Sequence, residues 1–167
     1  MNTIASSLVP LLPRLRRYAL ALCRVGDTAD ELVQIACEKA LASPRQTLDV
    51  SFEAWMFRIL RNGWIDRLRR QKTRGEEIDI VEHSDLGAFD GSRVPEDRLM
   101  LAKTLEAIGR LPQEQRELLL LLVCVEELSY RDAAEVLDLP IGTVMSRLAR
   151  ARRKLADDVG LEAGQLL

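Results

Sequence analysis

Apolar residues recur every three or four positions along most of this chain, which is the spacing of one face of an α-helix. The pattern predicts helices over residues 8–22, 28–41, 51–72, about 95–111 and 112–125, and two more between residues 129 and 155. No stretch alternates apolar and polar residues convincingly, as a half-buried strand does. The sequence therefore predicts an all-α protein.

Capping residues and helix breakers mark the starts of several of these segments. Ser51 and Ser129 each precede an apolar-periodic run, where a hydroxyl can accept a hydrogen bond from a free helical N–H. Asp27 or Thr28 can do the same for the segment that begins near residue 28. Pro112 suits the first residue of a helix, because that position has no intrahelical N–H bond to lose.

Residues 74–95 interrupt the helical pattern with glycines, serines and acids. A stretch of this composition is typical of a linker. It divides the chain into a first domain over 1–73 and a second over 96–158, which is followed by a leucine-rich tail over 159–167. The predicted fold is two small helical domains joined by a flexible acidic linker.

The most informative segment covers residues 128–155 and reads LSYRDAAEVLDLPIGTVMSRLARARRKL. A small-residue helix, a break at Leu139 and Pro140, and a second helix from about Thr143 are typical of a helix-turn-helix. A basic helix alone indicates only a solvated face, but the preceding helix and turn favour docking in the major groove of duplex DNA. The polar side of the second helix consists of Thr143, Ser146, Arg147, Arg150, Arg153 and Lys154.

A second basic segment, residues 52–70, combines aromatic rings with a dense run of arginines. Aromatic side chains interleaved with arginine can stack unpaired bases and hold their phosphates, which suits single-stranded nucleic acid. Phe57 and Trp64 fit the core better than a nucleic-acid surface. Asn62 and Asp66 lie one turn apart and share a face. The residues leave open whether this pair contacts base edges or only solvent.

Composition narrows the function classes. Net charge is only −2, from 24 basic and 26 acidic residues, but two basic blocks flank the acidic linker, which suggests two contacts with a polyanion. Cys23, Cys37 and Cys124 lack CxxC spacing and His83 is the only histidine. We therefore expect buried thiols in a reducing cytosol, no metal site and no cofactor. There is no signal-peptide pattern, and the apolar run over 118–125 is too short to span a bilayer.

Two longer stretches resemble a known family. ADELVQIACEKAL, followed by FEAWMFRILRNGWIDRLRR, resembles conserved region 2 of bacterial extracytoplasmic-function (ECF) RNA polymerase sigma factors. LPQEQRELLLLLVCVEELSYRDAAEVLDLPIGTVMSRLARARRKL resembles their region 4. The resemblance covers about residues 8–157. It implies a transcription initiation factor, not an enzyme, that binds core RNA polymerase, directs it to promoter DNA, and is usually controlled by an anti-sigma factor.

The resemblance also implies roles for particular residues. The core-polymerase contacts fall on Asp30, Glu31, Leu32 and Gln34. Capture of the melted −10 element falls on a loop over 47–51 and on Phe52, Trp55, Arg58, Asn62, Asp66, Arg67, Arg69 and Arg70. Recognition of the −35 element as duplex falls on the six polar residues between 143 and 154. The acidic linker is expected to thread through the polymerase toward its RNA channel.

The chain departs from the family at a few positions, and two rival functions stay open. Met145 stands where the family often has a basic or polar residue, and Ile35 and Ala36 stand where an acid is frequent. A plain helix-turn-helix regulator is one rival, although it has no use for a single-strand site at 52–70. A sigma mimic that sequesters an anti-sigma protein is the other, although such modules usually carry a receiver domain and weakened basic surfaces. An enzyme lacks support, because no nucleophile–base pair, phosphate loop or metal cluster is present.

Overall fold

A computed structural model describes residues 4–43, 51–76 and 95–160, and these ranges contain helices and no strand. The first half comprises α1 (Ile4–Leu8), a 3₁₀ turn (Val9–Leu11), α2 (Leu12–Cys23), α3 (Gly26–Ala42) and α4 (Phe52–Arg74). The second half comprises α5 (Pro95–Gly109), α6 (Gln113–Cys124), α7 (Tyr130–Leu137) and α8 (Ile141–Val159). The predicted all-α class is confirmed. Most of the predicted linker, residues 77–94, and the tail from residue 161 lie outside the described residues.

The first predicted helix is divided into three pieces. Pro10 and Pro13 lack a backbone N–H, and the chain passes from α1 through the 3₁₀ turn into α2 at these residues. The prediction for the next helix was wrong at its start. Helix α3 begins at Gly26 after Val25, which makes no side-chain cap, so Asp27 and Thr28 lie inside the first turn. In the first turn, the negative charge of Asp27 interacts favourably with the helix dipole, but its side chain does not cap the helix.

The serine caps of two functional helices are confirmed. Ser51 Oγ accepts a hydrogen bond from the Ala54 N–H at 3.1 Å, and α4 runs from there to Arg74. Ser129 Oγ accepts one from the Asp132 N–H at 3.0 Å at the start of α7.

The two proline-led helices start slightly away from their predicted positions. Pro112 occupies the N-cap of α6 instead of its first turn. Pro140 is the N-cap of α8, so this helix starts at Ile141, two residues before the predicted start near Thr143.

The first half packs α2 and α4 around a buried aromatic pair. The rings of Tyr18 and Phe57 meet edge to face with centroids 5.8 Å apart, an arrangement that adds to the apolar burial of both. Leu15 and Leu60 are buried beside them. Trp64 packs against this core while keeping part of its surface exposed, so its predicted core position is only partly correct.

The two halves are closed onto each other. Helix α4 lies against α7, and α2 lies against α6. Arg14 Nη2 donates to the Glu126 carbonyl at 2.5 Å, and Arg17 Nη1 pairs with the Glu126 carboxylate at 3.2 Å. Arg61 forms a two-point ion pair with Glu117, in which the side chains are only 17% and 22% exposed. One apolar core therefore runs through both halves.

The three cysteines are free thiols, and their burial differs. Cys124 is buried on α6, and desolvation raises the pKa of its thiol to about 11. Cys23 and Cys37 are only partly buried, although burial raises the pKa of each thiol as well. The expectation of fully buried thiols thus holds for Cys124 alone.

Removing the guanidinium of Arg61 should weaken the closed arrangement. Arg61→Ala leaves the Glu117 carboxylate partly buried without its partner, and we expect a loss of about 1–3 kcal/mol in the free energy of unfolding, measured with urea. Arg110→Ala is the matched control, because its ion pair with Glu106 is exposed and lies within one helical turn, worth about 0.3–0.5 kcal/mol.

The reversed pair tests whether charge or shape is responsible. Arg61→Glu combined with Glu117→Arg should recover stability that each single reversal loses. If the double variant loses as much free energy of unfolding as the two single variants lose in sum, the ion-pair role is contradicted.

Candidate nucleic-acid interfaces

One side of α8 is anchored in the second half, and this fixes which side faces outward. Val144, Leu148, Ala151 and Leu155 are buried, and they recur at the spacing of one helical face. The opposite side is exposed and presents Ser146, Arg150, Arg153 and Lys154. Within the described ranges these three basic side chains form no ion pair. Four of the six predicted duplex-reading residues therefore share an open, positively charged surface.

Arg147 differs from the other basic residues of α8. Its Nη2 lies 3.2 Å from Glu114 Oε2 on α6, and its side chain is only 23% exposed. Thr143 is half-buried beside it and accepts a hydrogen bond through its carbonyl from Ser146 Oγ at 3.1 Å. Arg147 thus stands at the edge of the basic surface with its charge already partnered.

The start of α4 carries the aromatic part of the second basic segment. The rings of Phe52 and Trp55 are tilted against each other with centroids 5.9 Å apart, and both are half-buried. Arg58, one turn further, has Nη2 at 3.9 Å from Asp138 Oδ1, at the end of α7. Ser51 Oγ donates to Asp132 Oδ1 at 3.2 Å. This end of α4 therefore lies against the first helix of the helix-turn-helix.

The outward part of α4 continues beyond that contact. Asn62 is exposed and Asp66 partly so, one turn apart as predicted. Arg69 and Arg70 are exposed and form no ion pair among the described residues. Arg67 is engaged, because its Nη1 donates to Glu31 Oε2 on α3 at 2.8 Å.

Helix α3 presents the residues assigned to the polymerase contact, with one exception. Asp30, Glu31 and Gln34 are exposed, and Asp30 pairs with Arg16 at 2.9 Å. Leu32 is only 3% exposed, so it packs in the core and does not offer its side chain to a partner. Leu32 lies one helical turn before the buried Ala36, on the same side of α3. This spacing is the sequence signal that could have assigned Leu32 to the core.

The predicted polymerase contacts left out two members of this α3 surface, of which Ile35 had been marked only as a departure from the family. Ile35 is 41% exposed although it is a large apolar residue. Glu38, one turn after Gln34, accepts a hydrogen bond from Gln34 Nε2 at 3.0 Å. An exposed isoleucine among acids is the kind of apolar anchor with a polar rim that a protein interface uses.

The sequence predictions for two other features remain predictions. Residues 47–50 of the expected base-capture loop lie outside the described residues, and so does the acidic linker from residue 77 onward. Among the residues that are described, no three His, Cys, Asp or Glu side chains are grouped as metal ligands would be. Nor is any helix in those ranges long and apolar enough to cross a membrane.

Comparison with known protein families assigns both halves. The Sigma-70 region 2 family matches residues 9–74, which extend from the 3₁₀ turn to the end of α4. The Sigma-70 region 4 family matches residues 101–155, which include the helix-turn-helix and most of α8. The region 2 match falls in the first half of the structure, and the region 4 match falls in the second half.

Individual relatives extend this similarity over most of the chain. The ECF RNA polymerase sigma factor EcfG of Rhodopseudomonas palustris is 33% identical over 156 residues, covering 93% of this chain and 84% of the relative. The ECF RNA polymerase sigma factor SigC of Mycobacterium tuberculosis is 35% identical over 143 residues, covering 85% and 75%.

Solved structures show the same fold. The sigma factor RpoE, crystallised in complex with the anti-sigma factor NepR from Bartonella quintana, has a TM-score of 0.69 and 30% identity, covering 95% of this chain and 97% of that one. CnrH in complex with the cytosolic domain of CnrY has a TM-score of 0.64 and 25% identity, covering 92% and 85%. The chain belongs to the ECF family of RNA polymerase sigma factors, which are transcription initiation factors.

Proposed function

We propose that this sigma factor recognises its promoters with two surfaces, α8 for the duplex −35 element and the outward side of α4 for the melted −10 element. The observation that carries the proposal is the exposed basic side of α8, with Arg150, Arg153 and Lys154 unpaired in the described chain. Side chains in this position can reach phosphates and guanine edges when the helix lies in the major groove. No catalytic residue is needed, because the polymerase performs the chemistry.

The aromatic and basic groups of α4 suit a melted strand. Stacking of an unpaired base on a ring such as Phe52 or Trp55 contributes about 1–3 kcal/mol per base. Opening the duplex costs about 1.4 kcal/mol per stacked step. Capture of a few bases, with Arg69 and Arg70 holding nearby phosphates, therefore offsets much of the unpairing. Asn62 and Asp66 lie on the same outward side and contact base edges in this proposal.

Promoter binding in this proposal separates the two halves. The −35 and −10 elements are centred about 25 base pairs apart, which is about 85 Å along B-DNA. A compact chain of this length has a radius of gyration of about 15 Å and a diameter of about 40 Å. The closed arrangement, with α4 against α7, is too short to reach both elements at once. Opening also releases Arg58 from Asp138.

The exposed side of α3 is the proposed docking site for core polymerase. Asp30, Glu31 and Gln34 surround Ile35 there, and Leu32 supports them from the core. The Arg67–Glu31 ion pair links this surface to the −10 surface of α4. Because core polymerase works on the chromosome, the chain acts in the cytoplasm.

We also propose control by an anti-sigma factor. The solved relatives RpoE and CnrH are each described in complex with a protein partner, NepR and the cytosolic domain of CnrY. The rival role, a mimic that only sequesters such a partner, is disfavoured by the open basic side of α8. A mimic has no need to keep Arg150 and Arg153 exposed.

Run-off transcription on fragmented genomic DNA of the source organism tests the function. Core RNA polymerase supplemented with this chain should produce discrete RNA 5′ ends that share upstream motifs, and core polymerase alone should not. Absence of new starts, with the chain shown by gel filtration to bind core polymerase, would exclude promoter recognition and favour a mimic.

Loss of Arg150 should weaken duplex recognition. Arg150→Ala is expected to reduce holoenzyme affinity for the −35 element by about 1–3 kcal/mol if the guanidinium is bidentate to a base. Arg110→Ala is the control, since Arg110 is exposed in the same half but pairs with Glu106. Equal affinities for Arg150→Ala and the unchanged chain in a mobility-shift titration would remove Arg150 from the interface.

Changing Asn62 and Asp66 together to alanine should impair promoter opening more than duplex binding. The expected result is slow open-complex formation on a duplex promoter, followed by permanganate reactivity of melted thymines, with less of a defect on a premelted template. A defect of the same size on both templates would argue that this pair acts before melting.

A further inference from the structure

Helix α8 has an apolar edge that its packing does not use. Ile141 is 49% exposed, Met145 is 54% exposed, and Ala149 is exposed as well. They are spaced four residues apart, so they form one strip along the outer surface of the helix. The strip borders the exposed Ser146 on one side and the buried Val144 on the other.

The position of the strip links it to the duplex surface. It starts at the first residue of α8, and in a helix-turn-helix the N-terminal residues of the second helix contact base edges. The two edges of the outward surface differ in chemistry. Arg147 and Lys154 lie on one edge. The apolar strip lies on the other edge, and beyond Ala149 that edge continues with Arg152, which is half-buried and donates to the Tyr130 hydroxyl at 3.4 Å. A surface with cations on one edge and a flexible apolar chain on the opposite edge matches a major groove that offers phosphates, polar base edges and methyl groups.

We infer that Met145, supported by Ile141, contacts the C5-methyl group of a thymine in the −35 element and makes this sigma factor select an A·T pair there. The inference rests on the proposed −35 role of α8. Thymine is the one base that presents an apolar group in the major groove. A thioether chain with three rotatable bonds can follow that methyl group without fixed geometry.

A partner protein is the alternative to DNA as the group that covers this strip. The basic side chains favour DNA, because Arg150 and Arg153 are exposed on the same surface and surround any occupant with positive charge. A protein partner on this strip would have to be strongly acidic. Duplex DNA is therefore the occupant that this surface favours.

Replacing thymine by uracil removes the methyl group alone and leaves the base pairing unchanged. The experiment uses the holoenzyme and a promoter obtained from the run-off mapping, with single thymines of the −35 element replaced by uracil on either strand. We expect at least one position where uracil lowers affinity about fourfold, equivalent to about 0.8 kcal/mol for one buried methyl group. Met145→Ala should lower affinity for the thymine promoter by a similar factor and abolish the thymine–uracil difference.

Two further variants make the result specific. Met145→Leu keeps an apolar chain of similar volume and should keep most of the discrimination. Val123→Ala shortens a 47% exposed apolar residue on α6 and should leave the discrimination unchanged.

Three outcomes would overturn the inference. They are a −35 element without a uracil-sensitive position, discrimination that persists in Met145→Ala, and a Met145→Ala defect that appears only in binding to a protein partner. Each can occur while the holoenzyme still initiates at discrete sites, so the proposed function would survive. Loss of discrete initiation itself would instead remove the proposed function on which the inference rests.

Discussion

Helix α4 is packed on one side by the first half of the chain and by α7 of the second half. This packing determines which side of the helix faces outward. Phe57 and Leu60 are buried with the first half, while the same helix meets α7 of the second. The Arg61–Glu117 pair joins these layers where little water reaches it. Because the inner side of α4 is occupied in this way, Asn62 faces outward. The arginine-rich end of the helix faces outward as well. Turning α4 to offer a different side would expose the aromatic core, which is why its outward chemistry is fixed by packing and not by local preference.

Three arginines of the candidate interfaces are partnered by acids of the chain itself. Arg58 lies near Asp138, Arg67 pairs with Glu31, and Arg147 pairs with Glu114. Each acid keeps most of its own surface in water, so these ion pairs are individually weak and can be exchanged for phosphates. The acids neutralise these three arginines locally, in a chain whose net charge is −2, and this limits nonspecific attraction to DNA.

Much of the fold was predictable because its signals are local. Ser51 and Ser129 were predicted as caps and accept the expected hydrogen bonds, since a cap involves residues three positions apart. The start of α3 was mispredicted because Val25 ends the preceding turn in an extended conformation, which no capping side chain announces. Leu32 was assigned to a partner surface together with its neighbours, although helical spacing alone placed it on the buried side. The family resemblance assigned one role to the whole stretch from Asp30 to Gln34. Burial shows that Leu32 belongs to the core, whereas Asp30, Glu31 and Gln34 are exposed.

The sequence by itself determined the helices, the helix-turn-helix and the two basic segments, because periodicity, caps and turns act over a few residues. It also indicated the family, through stretches long enough to be specific. Only the tertiary structure decided that the two halves close on each other, that Arg147 is partnered while Arg150 is open, and that Met145 faces solvent beside the basic surface. These properties depend on contacts between residues far apart in the chain, such as Arg61 and Glu117. No local pattern encodes which distant surface will cover a given side chain.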